Sequence, residues 1–335
     1  MTRITRNDIK ERLRDMKEFL LEEYKEKNEE KKRDWRTYEQ KLANRIGRAI
    51  RNLEPLIDEA TKNIQVHRVK GRRSVLSLKQ KVILLLSKEL IHKSNRSMSS
   101  MLSLFSLLSG IDISYKAVER LYSDPEVEMA IHNLHILILR KKGVKEITGS
   151  GDGTGYSLTI RKHYASEVEK RKEKAKEAKK SDKKLFVYSF KLLDLDTKLY
   201  VAYGMSLRSE KQAFEKAKEM LENVKAEIDI NLDSIRLDRY YSFPSYIDKF
   251  GETKVYIIPR KNSTLRGSWK WKRTMKEFVT DTRNYLKEYY RREISESEFS
   301  VDKRWFGWKI EQRKEDRIET ALACTNLWHN LFKLY

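Results

Sequence analysis

Cysteine is nearly absent from this sequence, where Cys324 stands alone. One thiol closes no internal disulfide and supplies no Cys-cluster zinc site. With Ala321, Leu322 and Ala323 around it, Cys324 reads as a small buried hydrophobe. No apolar run approaches the roughly 20 residues of a membrane-spanning helix. The longest lies near "VILLL" at 82–86. The first residues are charged, without the apolar segment of a signal peptide. These absences lead to the expectation of a soluble protein in a reducing cytoplasm, with no membrane partner. Acidic residues are also scarce: 50 Asp and Glu face 72 Lys and Arg, a net charge of +22. Such an excess costs self-repulsion in the compact state and points to a polyanion, nucleic acid first and an anionic membrane surface second. Histidine offers no catalytic arrangement. His132 and His135, three apart in the helical block, have no Cys nearby and read as ordinary packed or surface residues.

What is present suffices for more than one domain. The chain has 335 residues, 39% of them hydrophobic, enough for a sizeable core. Residues 5–62 read as long helix, because Trp35, Tyr38, Leu42, Ile46, Ile50, Leu53 and Ile57 recur at spacings of three and four. That stripe serves either packing within the protein or a dimerising arm; the arm is assigned to residues 1–66. A basic linker, "HRVKGRR" at 67–73, leads into a helical block that extends to residue 142. Within it, 97–124 suggests a helix-turn-helix. An apolar helix stops at Gly110, and a second starts with Ser114 as its cap. If the motif reads DNA, Ser114, Tyr115 and Lys116 are placed to reach base edges. A plain helical hairpin would look the same.

From residue 143 the pattern changes to strands, followed by alternating helix and strand, the signature of an α/β domain with a mixed sheet. This domain spans 143–335, preceded by the all-α region. It carries a charged insertion at 163–184; from Arg161 to Lys184 eleven Lys and Arg face five acids, which suits either a solvated helix or a phosphate backbone.

Three acids stand out. Asp152 lies in "SGDGTG", expected just after a strand, and Asp238 ends the strand "SIRLD". Each alone is an ordinary turn former. Together, at strand ends of one α/β sheet, they point to the edge where ligands collect. A third acid comes from the run "YYRREISESEFSVDKRW" at 289–305. Helical periodicity puts Tyr289, Arg292, Glu296 and Lys303 on one stripe, while Glu298 is rotated about 200° away from Glu296. Both glutamates therefore cannot face one site.

The spacing Y-x2-R-x3-E-x6-K, with "GDGTG" and "DRYYS" before it, resembles a large group of insertion-sequence DDE transposases. The resemblance covers roughly 145–335. It implies a ribonuclease H-like fold in which Asp152, Asp238 and Glu296 are catalytic and hold two divalent ions, Mg²⁺ or Mn²⁺. Hard carboxylate oxygens suit such ions, which would stabilise attacking and leaving oxygens in DNA cleavage and strand transfer. It further implies that Tyr289, Arg292 and Lys303 contact DNA ends. Synapsis of two ends of double-stranded element DNA before joining to target DNA makes a homodimer the expected assembly, in a prokaryotic cytoplasm at the nucleoid. Only 57 residues separate Asp238 from Glu296, which leaves no room for the large β insertion of some relatives.

A second DNA-handling feature is the stretch Arg260–Lys276, with seven Lys and Arg and no acid. On extended chain Trp269 and Trp271 would face one side, offering a stacking surface for a base; otherwise both pack on the sheet. Two other readings stay open at this point: a metal-dependent nuclease without strand transfer, and a non-catalytic helix-turn-helix protein.

Overall fold

A computed structural model describes residues 4–27, 34–65, 75–91, 98–158 and 186–335. The basic linker and the charged insertion lie outside these described residues. Among the described residues, seven helices come first. They are α1 (Arg6–Lys27), α2 (Trp35–Arg51), α3 (Leu53–Thr61), α4 (Leu78–Ile91), α5 (Ser99–Ser109), α6 (Tyr115–Leu121) and α7 (Pro125–Lys142). Their ends follow local chemistry. Ser114 Oγ accepts the Ala117 N–H at 3.3 Å to start α6. Asp124 caps α7, with Pro125 in its first turn. Gly110 (φ 69°) and Gly143 (φ 72°) end α5 and α7 in the left-handed conformation that glycine adopts without Cβ strain.

The expected long helix over 5–62 is instead divided. Asn52 (φ −95°, ψ 0°) separates α2 from α3. Leu13, Met16 and Phe19 of α1 pack against the cluster of Tyr256, Phe278 and Leu286, whereas α3 packs on α7 and α4. The stripe itself lies on α2 and α3 and is buried toward its end, where Leu53 and Ile57 join the core. Its start stays outside: Trp35 and Tyr38 are exposed.

The sheet comprises β1 (Glu146–Leu158), β2 (Phe186–Asp194), β3 (Tyr200–Ser206), β4 (Asn231–Leu237), β5 (Lys254–Tyr256) and β6 (Lys309–Ile310). Its order is β3-β2-β1-β4-β5, with β6 paired to β1. The β1–β2 and β2–β3 pairings are antiparallel, and the β1–β4 and β4–β5 pairings parallel. Helix α8 (Glu210–Glu227) joins β3 to β4 and packs on β3 and β2. After the sheet come α9 (Pro244–Ile247), α10 (Trp269–Thr280), α11 (Thr282–Tyr290), α12 (Glu293–Phe306) and α13 (Glu315–Leu334). The architecture is a mixed α/β fold with a mixed sheet.

The helices before residue 143 share their core with those after the sheet. Trp328 Nε1 of α13 donates to Leu86 O at 2.8 Å, and Thr320 Oγ1 to Tyr122 O at 2.8 Å. His135 reaches Val201 O on β3 at 3.0 Å. One buried cluster runs from Ile9 to Phe332.

Candidate active site

Asp152 lies within β1, opposite Lys191 of β2, not after a strand end as expected from its glycine run. The glycines are needed for close approach. A Cβ on Gly153 would collide with the Glu210 carboxylate, and one on Gly155 with the Phe186 ring. The strand therefore continues to Leu158, and Asp152 is held by sheet register.

Asp238 follows the last residue of β4 and opens a single 3-10 turn, Arg239–Tyr241. Its Oδ1 accepts the Tyr240 N–H at 2.7 Å. Tyr241 anchors the turn from below: its ring is buried between Phe190 and Phe214, and its hydroxyl donates to Glu210.

Glu296 sits in the first turn of α12. The run 289–305 is not one helix. α11 ends at Tyr290, and the chain passes through tighter turns at Arg291 and Arg292, with Arg292 N–H to Tyr289 O at 3.2 Å and Ser295 N–H to Arg292 O at 2.8 Å. Arg292 keeps helical torsions, so the 292–296 spacing of one turn survives the break. Ser295 fixes this end of α12 to β1 through a 2.9 Å hydrogen bond with Ser150.

The carboxylates of Asp152, Asp238 and Glu296 converge on one guanidinium. Arg292 Nη2 is 2.8 Å from Asp238 Oδ2 and 3.4 Å from Asp152 Oδ2, and Nη1 is 2.7 Å from Glu296 Oε1. Among the described residues no three acidic, His or Cys side chains stand close enough together to hold a metal as they are; Arg292 spans the space between these acids. Burial pushes the Asp152 carboxyl up to about 6, opposed by Arg292 and reinforced by Asp238 and Glu296.

The rear of α12 carries what spacing alone did not reveal. Asp302, buried, accepts Tyr200 OH at 2.6 Å, lies 3.1 Å from Lys191 Nζ, and pairs with His329 Nδ1 at 2.7 Å. One turn back, Glu298 pairs with Lys333 at 2.6 Å. These acids lock the rotation of α12 and leave Glu296 facing the site. Lys191 within the apolar "FVYSFKLLD" and His329 within "NLWHNLF" were the available signals, since a lone charge in such a run needs a buried partner.

No protein-family model matches the chain. It is 43% identical over 333 residues to a probable transposase for insertion sequence element ISA1214 of Archaeoglobus fulgidus, spanning 98% of this chain and 97% of that protein. The chain belongs to this insertion-sequence transposase family. No described helix is long and apolar enough to cross a membrane.

Other residues singled out from the transposase sequence fall in different settings. Tyr289 is buried, its ring 5.7 Å from the Arg292 guanidinium, so it supports Arg292 and is not open to a phosphate. Lys303 is half-buried, 4.5 Å from the exposed Trp308 ring and 5.6 Å from Tyr156; burial lowers its pKa, as does Lys191. Trp269 and Trp271 occupy the start of a helix, not extended chain, which turns them apart. Trp269 is 72% exposed, whereas Trp271 is 2% exposed and donates Nε1–H to Thr264 O. The folded transposase therefore offers no stacking surface at Trp271. Ser114 and Lys116 are exposed at the start of α6, and Tyr115 packs partly against the core.

Beside Asp238 lies a cleft of about 750 Å³, lined in part by the basic stretch that begins at Arg260. Arg239, Arg260, Lys261 and Arg266 line it, and no acid does among the described residues. Tyr240 and Phe243 are exposed aromatics there, and Arg260 stacks 4.1 Å from the Phe243 ring. The Ser242 hydroxyl is buried in its wall without a hydrogen-bond partner.

Proposed function

We propose that the chain is a DDE-type transposase, cutting DNA at the ends of its element and joining those ends to target DNA. The observation that carries this reading is the convergence of Asp152, Asp238 and Glu296, from β1, the end of β4 and α12, on one guanidinium. A ribonuclease H-like assignment is supported by a mixed sheet with flanking helices and with the first acid on its central strand.

The donor set suits hard divalent cations: three carboxylates, with no thiolate or imidazole among them. Mg²⁺ or Mn²⁺, two ions when bound by Asp152, Asp238 and Glu296, would supply Lewis-acid stabilisation to the attacking and leaving oxygens. The protein's own contribution is positioning. Sheet register holds Asp152, the turn after β4 holds Asp238, and the rear anchors of α12 hold Glu296. Arg292 presents a planar fork that matches phosphate oxygens. The basic aromatic cleft beside Asp238 takes the strand leading to the scissile phosphate, through cation–phosphate contacts and stacking on Tyr240 or Phe243. Trp269 and Lys303 extend the DNA-contact surface, and Ser114 and Lys116 of the helix-turn-helix read the element end. Two ends held together make a homodimer the expected assembly.

The test is a cleavage and joining assay on DNA flanking the gene with Mg²⁺ or Mn²⁺. Wild type is expected to yield both cut and joined products, and Glu296→Gln neither. Cut products without joining would indicate a nuclease instead.

A further inference from the structure

We infer that Arg292 makes cation loading of the carboxylate site depend on DNA: its guanidinium closes the site in the free protein, and a phosphate of bound DNA draws it off. This rests on the reading of the three acids as cation ligands, and it predicts positive coupling between DNA and divalent ions.

Geometry comes first. Arg292 takes one oxygen from each acid, at 2.7 Å from Glu296, 2.8 Å from Asp238 and 3.4 Å from Asp152. Those are the oxygens that a shared cation would need. With the guanidinium among them, an incoming ion must displace a positive charge that already holds those oxygens. With it gone, three carboxylates face each other without compensation, which favours a cation strongly.

The guanidinium is also incompletely satisfied where it stands. Its Nε–H is buried and has no hydrogen-bond partner, although the group has five N–H bonds to place. The Tyr289 ring lies 5.7 Å from it. The backbone is held firmly, by Arg292 O accepting Ser295 Oγ–H at 2.6 Å. Release therefore needs side-chain rotation alone and leaves Glu296 in place.

A better partner is available nearby. Asp238 and Glu296 keep 36% and 50% of their side chains exposed against 12% for Arg292, so the site opens to solvent on the side of those two acids. The acid-free cleft lined by Arg239, Arg260 and Arg266 begins next to Asp238 and would lay a phosphate backbone beside it. Two parallel N–H bonds to one phosphate would replace the three divided ones. Because coupling is reciprocal, divalent ions would tighten DNA binding by the same factor.

The experiment counts free Mn²⁺ by its EPR signal during titration of the full-length protein, alone and with a duplex copied from the flanking DNA, the duplex alone serving as blank. Wild type without DNA is expected to bind Mn²⁺ weakly, and the duplex to tighten it by roughly tenfold or more, within the usual range for coupled sites. Arg292→Ala is expected to bind Mn²⁺ tightly without DNA and to gain little from the duplex. Equal affinity of wild type and Arg292→Ala without DNA overturns the inference, as does a wild-type affinity that the duplex leaves unchanged. That second comparison stands even if Arg292→Ala folds poorly. If Asp238→Asn binds Mn²⁺ as well as wild type in the presence of duplex, the acids are not ligands, and it is the underlying reading that fails.

Discussion

Glu296 and Glu298, two positions apart on α12, occupy opposite environments. The Glu296 side chain is 50% exposed and lies 2.7 Å from Arg292 Nη1. Glu298 is buried, with Lys333 Nζ at 2.6 Å and Lys198 Nζ at 3.8 Å. A rotation of about 200° over two helical residues separates the two carboxylates. One faces Arg292 at the candidate site; the other is paired behind the helix.

Their substitutions should therefore separate activity from stability. Glu296→Gln is expected to abolish DNA cleavage, a loss beyond the roughly 10- to 100-fold typical of a residue behind a metal ligand, while folding stability changes by less than about 1 kcal/mol. Glu298→Gln is expected to lower stability and spare the chemistry of the protein that folds. Cleavage assays beside urea denaturation check both. An inactive, fully stable Glu298→Gln would show that the wrong glutamate has been chosen.

Asp302 holds three partners from β2, β3 and α13. Asp302→Ala strands Lys191 and His329 in the core and is expected to cost about 3–5 kcal/mol. Asp302→Asn keeps an acceptor and should cost less. Denaturant midpoints read the difference, and equal midpoints for Asp302→Ala and wild type would remove the network from the account of how α12 is held.

Within the cleft, Arg260 and Arg266 are assigned to DNA phosphates. Each change to Ala is expected to weaken binding across sequences and to reduce the slope of log affinity against log salt by about 1. Tyr240→Ala tests stacking, expected at roughly 1–3 kcal/mol with the salt slope intact. An unchanged slope in the arginine variants would place the DNA elsewhere.

End recognition calls for a surface variant. Deleting residues 1–141 would strip α3, α4 and α7 from a core they share with α13, so that loss of binding would report unfolding. Lys116 is exposed at the start of α6. Lys116→Glu is expected to lower affinity for the flanking DNA more than for random duplex, measured side by side at one salt concentration. Equal losses on the two duplexes would make Lys116 a phosphate contact.

Acid stability has a definite sign. His135 is fully buried, its Nε2–H donating to Val201 O, and burial pushes its pKa down to about 4 from 6.5. The unfolded chain binds the proton first as pH falls through 6.5, so stability declines from there to about pH 4. The loss amounts to about 3 kcal/mol, one pKa unit being worth about 1.4 kcal/mol. Asp152 acts oppositely in metal-free protein. Its carboxyl, raised to about 6, takes up a proton more readily when folded, so stability rises as pH falls from there toward 3.8. Denaturation in EDTA at several pH values should thus show a steeper acid loss for Asp152→Asn than for wild type. Parallel curves would contradict the raised carboxyl.

Local chemistry was legible without a structure. Ser114 and Gly110 bound α6 and α5 through contacts within a few residues, which sequence displays directly. The mixed α/β class, with strands followed by alternating helix and strand after residue 143, followed from periodicity in the same way. So did the placement of Glu296 one turn from Arg292 and away from Glu298. Where a reading depended on which strand pairs with which, it failed: Asp152 lies within β1 because β2 pairs through the glycine run.

Charge, helix ends, the order of the three acids and the rotational phase of α12 could be read along the chain, all consequences of composition or neighbours within a turn. Folding in three dimensions was needed to bury Trp271 but not Trp269, to bring Lys191, Asp302 and His329 together behind α12, and to close one guanidinium on three carboxylates. Those outcomes rest on desolvation and on contacts between elements far apart in the chain, which no local pattern records.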